Sequence, residues 1–226
     1  MLKYWWKILA VILVLYTIIN GFLIEVPALP ILHESIRNLF FHVTMWFAMI
    51  FLCGTSWIYS MMYLSSSKIE HDIIASEAAN VGVMLGAIGI LTGMIWANFT
   101  WGAPWVNDPK LNGAAITMLI YLAYFVLRNS MDEEQKRAKV SSVYNIFAFI
   151  MLVVFLYVLP RMTDSLHPGN GGNGTFSDLD IDNTMRTVFY PAIIGWTLIG
   201  VWFLTLRIRI KKLSYQRESE LINSEN

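Results

Sequence analysis

The chain has 226 residues, of which 56% are hydrophobic and only 14% are charged, and its mean hydropathy is +0.53. Because a soluble domain would have about a quarter of its residues charged, this composition excludes a soluble globular protein and indicates an integral membrane protein. The formal net charge is zero, so the charge balance gives no support to nucleic-acid binding.

The apolar residues fall into segments long enough to cross a membrane. A membrane-spanning helix needs roughly 20 apolar residues to cross about 30 Å of hydrocarbon. The segments that we predict to span are 5–24, 39–64, 75–99, 113–127, 142–159 and 188–206. We therefore expect an all-α bundle of six transmembrane helices in residues 1–213, followed by a disordered cytoplasmic tail in residues 214–226.

The lysines and arginines predict how this bundle is oriented. With the N-terminus inside, the inner connections and ends hold twelve of the sixteen basic residues, and the outer loops hold four. Short cytoplasmic loops carry the excess of basic residues in membrane proteins. We therefore predict that both termini are cytoplasmic and that residues 25–38, 101–112 and 160–187 form the outer loops.

The third span carries a stripe of glycines at spacings of four, three and four, formed by Gly82, Gly86, Gly89 and Gly93. Small residues on one face of a membrane helix let a neighbouring backbone approach closely. We interpret this stripe as a packing feature and not as a ligand site.

The second outer loop has the most unusual composition. Residues 101–112 read WGAPWVNDPKLN, with two indoles, two prolines, an acid and a base between apolar segments. Such a segment cannot form a helix in lipid, and ordinary turns use small polar residues. We therefore predict that this loop is an outer-face platform for a flat aromatic ligand. In the third outer loop, the glycine- and asparagine-rich residues 169–174 are typical of a flexible hinge.

Topology separates the histidines. His71 lies in an inner connection and His33 in the first outer loop, whereas His42 lies one turn into the outer end of the second span and His167 lies in the third outer loop. A histidine inside a membrane segment indicates a functional site, although an interfacial hydrogen bond for His42 and an exposed loop position for His167 remain open. Two imidazoles from different segments could bind a metal from opposite faces. Haem needs such ligands, aromatic surface for its ring and cations for its propionates.

Other chemistries have weaker support. Zinc or copper could use His42, His167 and Asp108, but no cysteine cluster or close histidine pair supports such a site. Cys53, the single cysteine, lies in an apolar segment and excludes an internal disulfide or a covalent C-x-x-C-H haem motif. No nucleophile motif or phosphate-binding loop is present.

At this point the chain resembles a known family. Residues 101–112 are similar to the tryptophan-rich "WWD" signature W-G-x-W-W-x-W-D-x-R-L-T of the haem-handling proteins of cytochrome c maturation, and the six spans resemble the CcmC family among them. His42 in Phe-His-Val is similar to the family's His-Val-Pro, and His167 in Leu-His-Pro-Gly to its Leu-His-Gln-Gly. The signature positions that agree are Trp101, Gly102, Trp105, Asp108 and Leu111.

The chain also departs from the family pattern. The differences are Pro104 and Asn107 in place of tryptophans, Lys110 in place of arginine, Asn112 in place of threonine and Thr44 in place of the proline after His-Val. With fewer indoles in the loop, we expect Trp96, Phe99 and Trp46 to be candidates for completing the aromatic surface. Because lysine lacks the bidentate fork of arginine, Lys110 should make a looser propionate contact.

The resemblance implies a haem-delivery module and not an enzyme in the usual sense, although haem-lyase-like activity stays open. It implies non-covalent, b-type haem with His42 and His167 as axial ligands, and Trp101 and Trp105 packed on the ring. Asp108 would orient the loop or contact a partner, and Lys110 and Arg161 would pair with propionates.

The resemblance further implies a multi-pass protein of the bacterial inner membrane with its site on the periplasmic side. Its expected partners are membrane lipid, a periplasmic haem chaperone of the CcmE type, ABC transporter subunits of the CcmA and CcmB types, and a small single-span subunit of the CcmD type. The alternatives are a transporter or channel subunit without haem, whose indoles form an interfacial belt, and a larger haem ligase of the same superfamily, for which 226 residues leave little room.

Overall fold

A computed structural model describes residues 4–28, 32–167 and 181–225, and every regular element in these ranges is helical. The helices are α1 (Trp5–Leu23), α2 (Leu39–Ser66), α3 (Ile69–Trp101), α4 (Pro109–Asn129), α5 (Glu134–Val153), α6 (Leu159–Met162) and α7 (Asn183–Glu225). A 3-10 helix, His33–Asn38, leads into α2, and a π-helical turn, Val154–Val158, joins α5 to α6. Six helical runs are long and apolar enough to cross a membrane, which confirms the predicted all-α bundle of six spans.

Helix α2 lies at the centre of the bundle. It packs against α3, α5 and α7, while α1 packs on α7 and α4 packs on α5 and α3. Below, the end of the bundle that carries residues 101–112 is called the outer end, after the predicted orientation. The opposite end is called the inner end.

The glycine stripe of α3 brings α2 close, as the sequence predicts. A Cβ atom at Gly82 would lie 2.8 Å from Cys53 Sγ, and one at Gly86 would lie 2.5 Å from Met49 Sδ. Cys53 is fully buried in this contact, which agrees with its expected role as a small apolar residue. The two helices therefore have little freedom to slide against each other.

Helix α7 extends further than the sequence predicts. Instead of a disordered tail from Ser214, the structure continues α7 as helix to Glu225. The segment after Gly200 contains neither glycine nor proline and is rich in Lys, Arg, Glu and Leu, which are good helix formers. Its polarity removes it from the membrane without preventing helix formation.

An ion pair joins α3 and α4 at the inner end. Asp72 accepts hydrogen bonds from both terminal nitrogens of Arg128, at 2.7 and 2.6 Å, and the side chain of Asp72 is only 3% exposed. We expect Asp72→Ala to lower the free energy of unfolding by about 3 kcal/mol, because it leaves a guanidinium buried without its counter-charge. Thermal unfolding in detergent would measure the loss.

A matched control for this prediction is Glu70→Ala. Glu70 pairs with Lys212 at 3.2 Å, but its side chain is 70% exposed, so its loss should cost less than about 1 kcal/mol. Equal losses in stability for Asp72→Ala and Glu70→Ala would contradict the importance of burial.

Candidate functional site

Asp108 connects the second outer loop to helix α4. It is the N-cap residue of α4, and its Oδ1 accepts hydrogen bonds from the backbone N–H groups of Lys110 (2.9 Å) and Leu111 (3.3 Å). Aspartate suits this position because its oxygens satisfy N–H groups that have no helical partner, and because its charge is stabilised at a helix N-terminus. Pro109 follows at the first helical position, where its missing N–H costs nothing.

The same carboxylate holds the third outer loop. Asp108 Oδ2 accepts hydrogen bonds from Ser165 Oγ (2.8 Å) and from the backbone N–H of Leu166 (2.7 Å). Its Oδ1 lies 3.0 Å from Nδ1 of His167. Only 1% of the Asp108 side chain is exposed, so these hydrogen bonds form away from competing water and are correspondingly strong.

The charge states of Asp108 and His167 follow from their surroundings. Burial opposes ionisation of Asp108, but hydrogen bonds from His167, Leu166 and Ser165 outweigh it and hold the pKa of Asp108 below its ordinary value. Burial also lowers the pKa of His167, and the hydrogen bond to Asp108 offsets this only in part. At neutral pH a neutral His167 therefore donates its Nδ1 proton to an ionised Asp108, which leaves the lone pair on Nε2.

His42 is held by the backbone of α3 instead of by a carboxylate. Its Nδ1 lies 2.8 Å from the carbonyl oxygen of Gly89 and 3.3 Å from Thr92 Oγ1. A Cβ atom at Gly93 would lie only 2.6 Å from Cε1 of the His42 ring. The imidazole therefore fits against α3 because Gly93 has no side chain, and donation from Nδ1 to Gly89 again leaves the lone pair on Nε2.

The glycine stripe thus does more than the sequence analysis assigned to it. Gly82 and Gly86 serve helix packing, as predicted, whereas Gly89 and Gly93 position His42. The sequence contained a usable signal, since Gly89 and Gly93 lie at the outer end of the third span, the end at which His42 enters the second. Spacing alone did not distinguish the two pairs of glycines.

Indole rings flank both histidines. The His42 ring makes edge-to-face contacts with Trp96 and Trp46, with ring centroids 5.8 and 6.4 Å apart. The His167 ring makes a similar contact with Trp101, at 5.1 Å. Of the three residues expected to supplement the loop indoles, Trp96 and Trp46 reach a histidine, while Phe99 is 75% exposed and has no ring contact with a histidine within the described ranges.

Trp105 is fixed by two of the residues that depart from the family pattern. Its Nε1 donates to Asn112 Oδ1 at 3.3 Å, and Asn112 Nδ2 donates to Asn107 Oδ1 at 2.8 Å. Trp105 remains 38% exposed. The two amides therefore hold an accessible indole face at the outer end of the bundle.

The cations of the outer end differ in their surroundings. Lys110 lies within electrostatic range of both His42 and His167, and His42 lies within range of His167. Arg161 lies over the ring of Tyr157, with Cζ 3.9 Å from its centroid. Arg37 donates to the carbonyl oxygens of Gly21 and Ile24 and pairs with Glu34, so it fastens the first outer loop to the end of α1.

The structure thus brings together most of the predicted site, namely His42, His167, Trp101, Asp108 and Lys110. His33 is exposed at the start of the 3-10 helix, and His71 bonds Ser66 at the inner end. The predicted hinge in residues 169–174 lies outside the described residues.

Within the described ranges, no group of three or more His, Cys, Asp or Glu could hold a metal ion. Asp108 points at Nδ1 of His167, where it supports that ring.

Comparisons with known proteins identify a family that covers nearly the whole chain. The family model described as "Heme exporter protein C" matches residues 1–223. The Heme exporter protein C of Rhodobacter capsulatus is 26% identical over 154 residues, which cover 66% of this chain and 62% of that protein. That of Paracoccus denitrificans is 23% identical over 192 residues, which cover 85% of this chain and 79% of that protein.

A second group of relatives matches a shorter part of the chain. The cytochrome c biogenesis protein CcsA of Pelargonium hortorum is 36% identical over 94 residues, which cover 41% of this chain and 30% of that protein. The chain therefore spans less than two thirds of the length of the Rhodobacter and Pelargonium proteins. Since the family model matches residues 1–223, which include both the bundle and the site, the chain belongs to the heme exporter protein C (CcmC) family.

Proposed function

We propose that this protein binds haem at the outer face of the cytoplasmic membrane and presents it for cytochrome c biogenesis. The observation that supports this function best is that two imidazoles are hydrogen-bonded in the same way, each through its Nδ1. His42 donates Nδ1–H to Gly89 O, and His167 donates Nδ1–H to Asp108 Oδ1. Each ring thereby keeps a lone pair on Nε2, and a hydrogen-bonded Nδ1 raises the basicity of the opposite nitrogen toward a metal.

The surroundings of the two imidazoles suit haem better than a bare metal ion. A bare zinc or copper ion would need at least one further protein ligand, and Asp108 is already bonded to the ring and loop of His167. The porphyrin ring of haem already supplies four ligands to the iron, so two imidazoles would complete its coordination. Trp46, Trp96 and Trp101 supply aromatic surface beside them, and we propose that the exposed indole of Trp105 adds to it.

The cations suit the carboxylate edge of haem. Lys110 lies at the start of α4, within electrostatic range of both histidines, and we propose it as the first propionate partner. Arg161, which lies over Tyr157, is the second. Lysine offers a carboxylate a single charged contact without the bidentate fork of arginine, which fits a module that must also release its ligand.

The proposed function places the protein among the membrane components of cytochrome c maturation as a transfer module and not as an enzyme. The names of the family and of the relatives refer to haem export and cytochrome c biogenesis. We propose non-covalent b-type haem, a site on the periplasmic side of the inner membrane, and transfer to a chaperone of the CcmE type. CcmA-, CcmB- and CcmD-type subunits are proposed as its membrane partners.

The test is the optical spectrum of the purified protein. We expect a six-coordinate low-spin haem spectrum, and we expect His167→Ala to convert it to a high-spin form, because one axial ligand is lost. His33→Asn is the matched control, since His33 is an outer-end histidine that lies apart from the site, and asparagine tolerates its φ of 43°. An unchanged spectrum in His167→Ala would refute the ligand assignment, and a colourless protein would favour a transporter or channel without haem.

A further inference from the structure

We propose that the two histidines have unequal roles: His42 is the retained ligand, and His167 is the ligand that leaves on transfer, with Asp108 as the positioning residue that holds it. This inference rests on the proposed haem-binding function. It adds which side of the site opens and which residue controls that opening.

His42 belongs to the rigid part of the molecule. It lies in the first turn of α2, and its partners Gly89 and Thr92 lie on α3. The ring fits into the space left by Gly93 and contacts Trp46 and Trp96. Since α2 and α3 pack closely along their length, the His42 ring has less freedom to move than a side chain in a loop.

Within the described ranges, His167 is held by a smaller set of contacts than His42. It lies in the loop after α6, and its ring contacts Trp101. Among the described residues, the hydrogen bonds that Leu166 and His167 make beyond their own loop end on Asp108 alone. Ser165 also donates to this carboxylate. A movement of the Asp108 side chain would therefore remove the hydrogen bonds of Leu166 and His167 together.

The position of Asp108 lowers the cost of this release. When a hydrogen bond to a buried carboxylate is lost, the charge is left unpaired, and the penalty is large. Asp108, however, also accepts the N–H groups of Lys110 and Leu111 at the N-terminus of α4. These bonds and the helix dipole still stabilise the carboxylate after the loop has moved away.

The transfer step is a ligand exchange. With haem bound, the bond between iron and Nε2 of His167 would break first, and a bond between iron and a neutral donor atom of the acceptor would form. The bond to Nε2 of His42 would break afterwards, when haem leaves the protein. The imidazole leaves in its neutral form with Nδ1 still protonated, so the exchange itself moves no proton and changes no oxidation state. An acceptor that takes the place of His167 would approach from the side of the third outer loop.

The experiment measures how fast haem passes from the purified, haem-loaded protein to apomyoglobin. We expect Asp108→Asn to accelerate transfer by about 10- to 100-fold, the range typical of losing a residue that supports a metal ligand. Ser165→Ala, which removes one bond to Asp108 without changing the cap of α4, should accelerate it less. Thr92→Val tests the other ligand, and it should accelerate transfer less than Asp108→Asn does, because Gly89 still accepts from His42.

Two further readouts separate this role from a merely structural one. The spectrum of Asp108→Asn should show a high-spin fraction that added imidazole returns to the low-spin form, because the position of His167 has become available. In the haem-free protein, the backbone amides of Leu166 and His167 should exchange hydrogen for deuterium faster in Asp108→Asn, while the amides of α2 should not.

Each outcome decides between the two ligands. Faster transfer with imidazole rescue supports His167 as the leaving ligand. Unchanged transfer from Asp108→Asn despite faster amide exchange would overturn the inference, and so would acceleration in Thr92→Val alone. If the wild-type protein bound no haem, the proposed function would fail along with the inference, but the amide exchange would still report whether Asp108 holds the loop.

Discussion

Replacing His42 with alanine is expected to abolish stable haem binding. His42 is the proposed ligand that the helices hold, through Gly89 on α3 and through ring contacts with Trp46 and Trp96. Its loss should weaken binding by more than the roughly 10- to 100-fold that follows from losing a residue that only supports a ligand. Titration of the purified variant with haem, followed by absorbance, would measure the change.

Chemical rescue separates ligand loss from damage to the bundle. His42→Gly leaves a space between α2 and α3 next to Gly93, and exogenous imidazole should enter it and restore a low-spin spectrum. His71→Ala is the control, because His71 lies at the inner end, where it bonds Ser66, away from the site. A normal haem spectrum in His42→Ala without added imidazole would exclude His42 as a ligand.

The sequence predicts the spans well because the thickness of the membrane sets the length and the apolar composition that each span must have. Each span needs a long apolar segment, and such segments are visible without knowing which helices touch. The ends were less predictable. Helix α3 begins at Ile69, six residues before the predicted span, because its charged first turn lies beyond the apolar segment. The helical tail after Ser214 was missed because polarity was taken as a sign of disorder.

The site could be predicted only as a set of residue types. Topology and the family resemblance identified His42, His167 and the loop 101–112. The partners of these residues could not be derived, since Asp108 and His167 are joined across 59 positions and His42 and Gly89 across 47. Such contacts depend on how helices pack and where loops end, which no local pattern encodes. The role of Asp108 was therefore left open between orienting its loop and contacting a partner.

Gly93→Ala is expected to remove haem ligation although it leaves both histidines in place. The new Cβ atom would lie 2.6 Å from Cε1 and 3.1 Å from Nδ1 of His42, well inside the normal contact distance. The imidazole cannot retreat, because Trp46 and Trp96 contact it. It must rotate, which breaks its bond to Gly89 and moves Nε2. We expect a high-spin haem spectrum and haem affinity close to that of His42→Ala.

Gly86→Ala is the matched control for this prediction, because it places the same methyl group on the same face of the same helix. There the Cβ would lie 2.5 Å from Met49 Sδ and 2.9 Å from Met118 Sδ, and flexible methionine side chains can shift. Alanine also favours a helix over glycine by about 1 kcal/mol, so neither variant need lose much thermal stability. We therefore expect Gly86→Ala to keep a low-spin spectrum while Gly93→Ala loses it at similar stability. Retention of the normal spectrum by Gly93→Ala would show that the fit of His42 against α3 does not determine ligation.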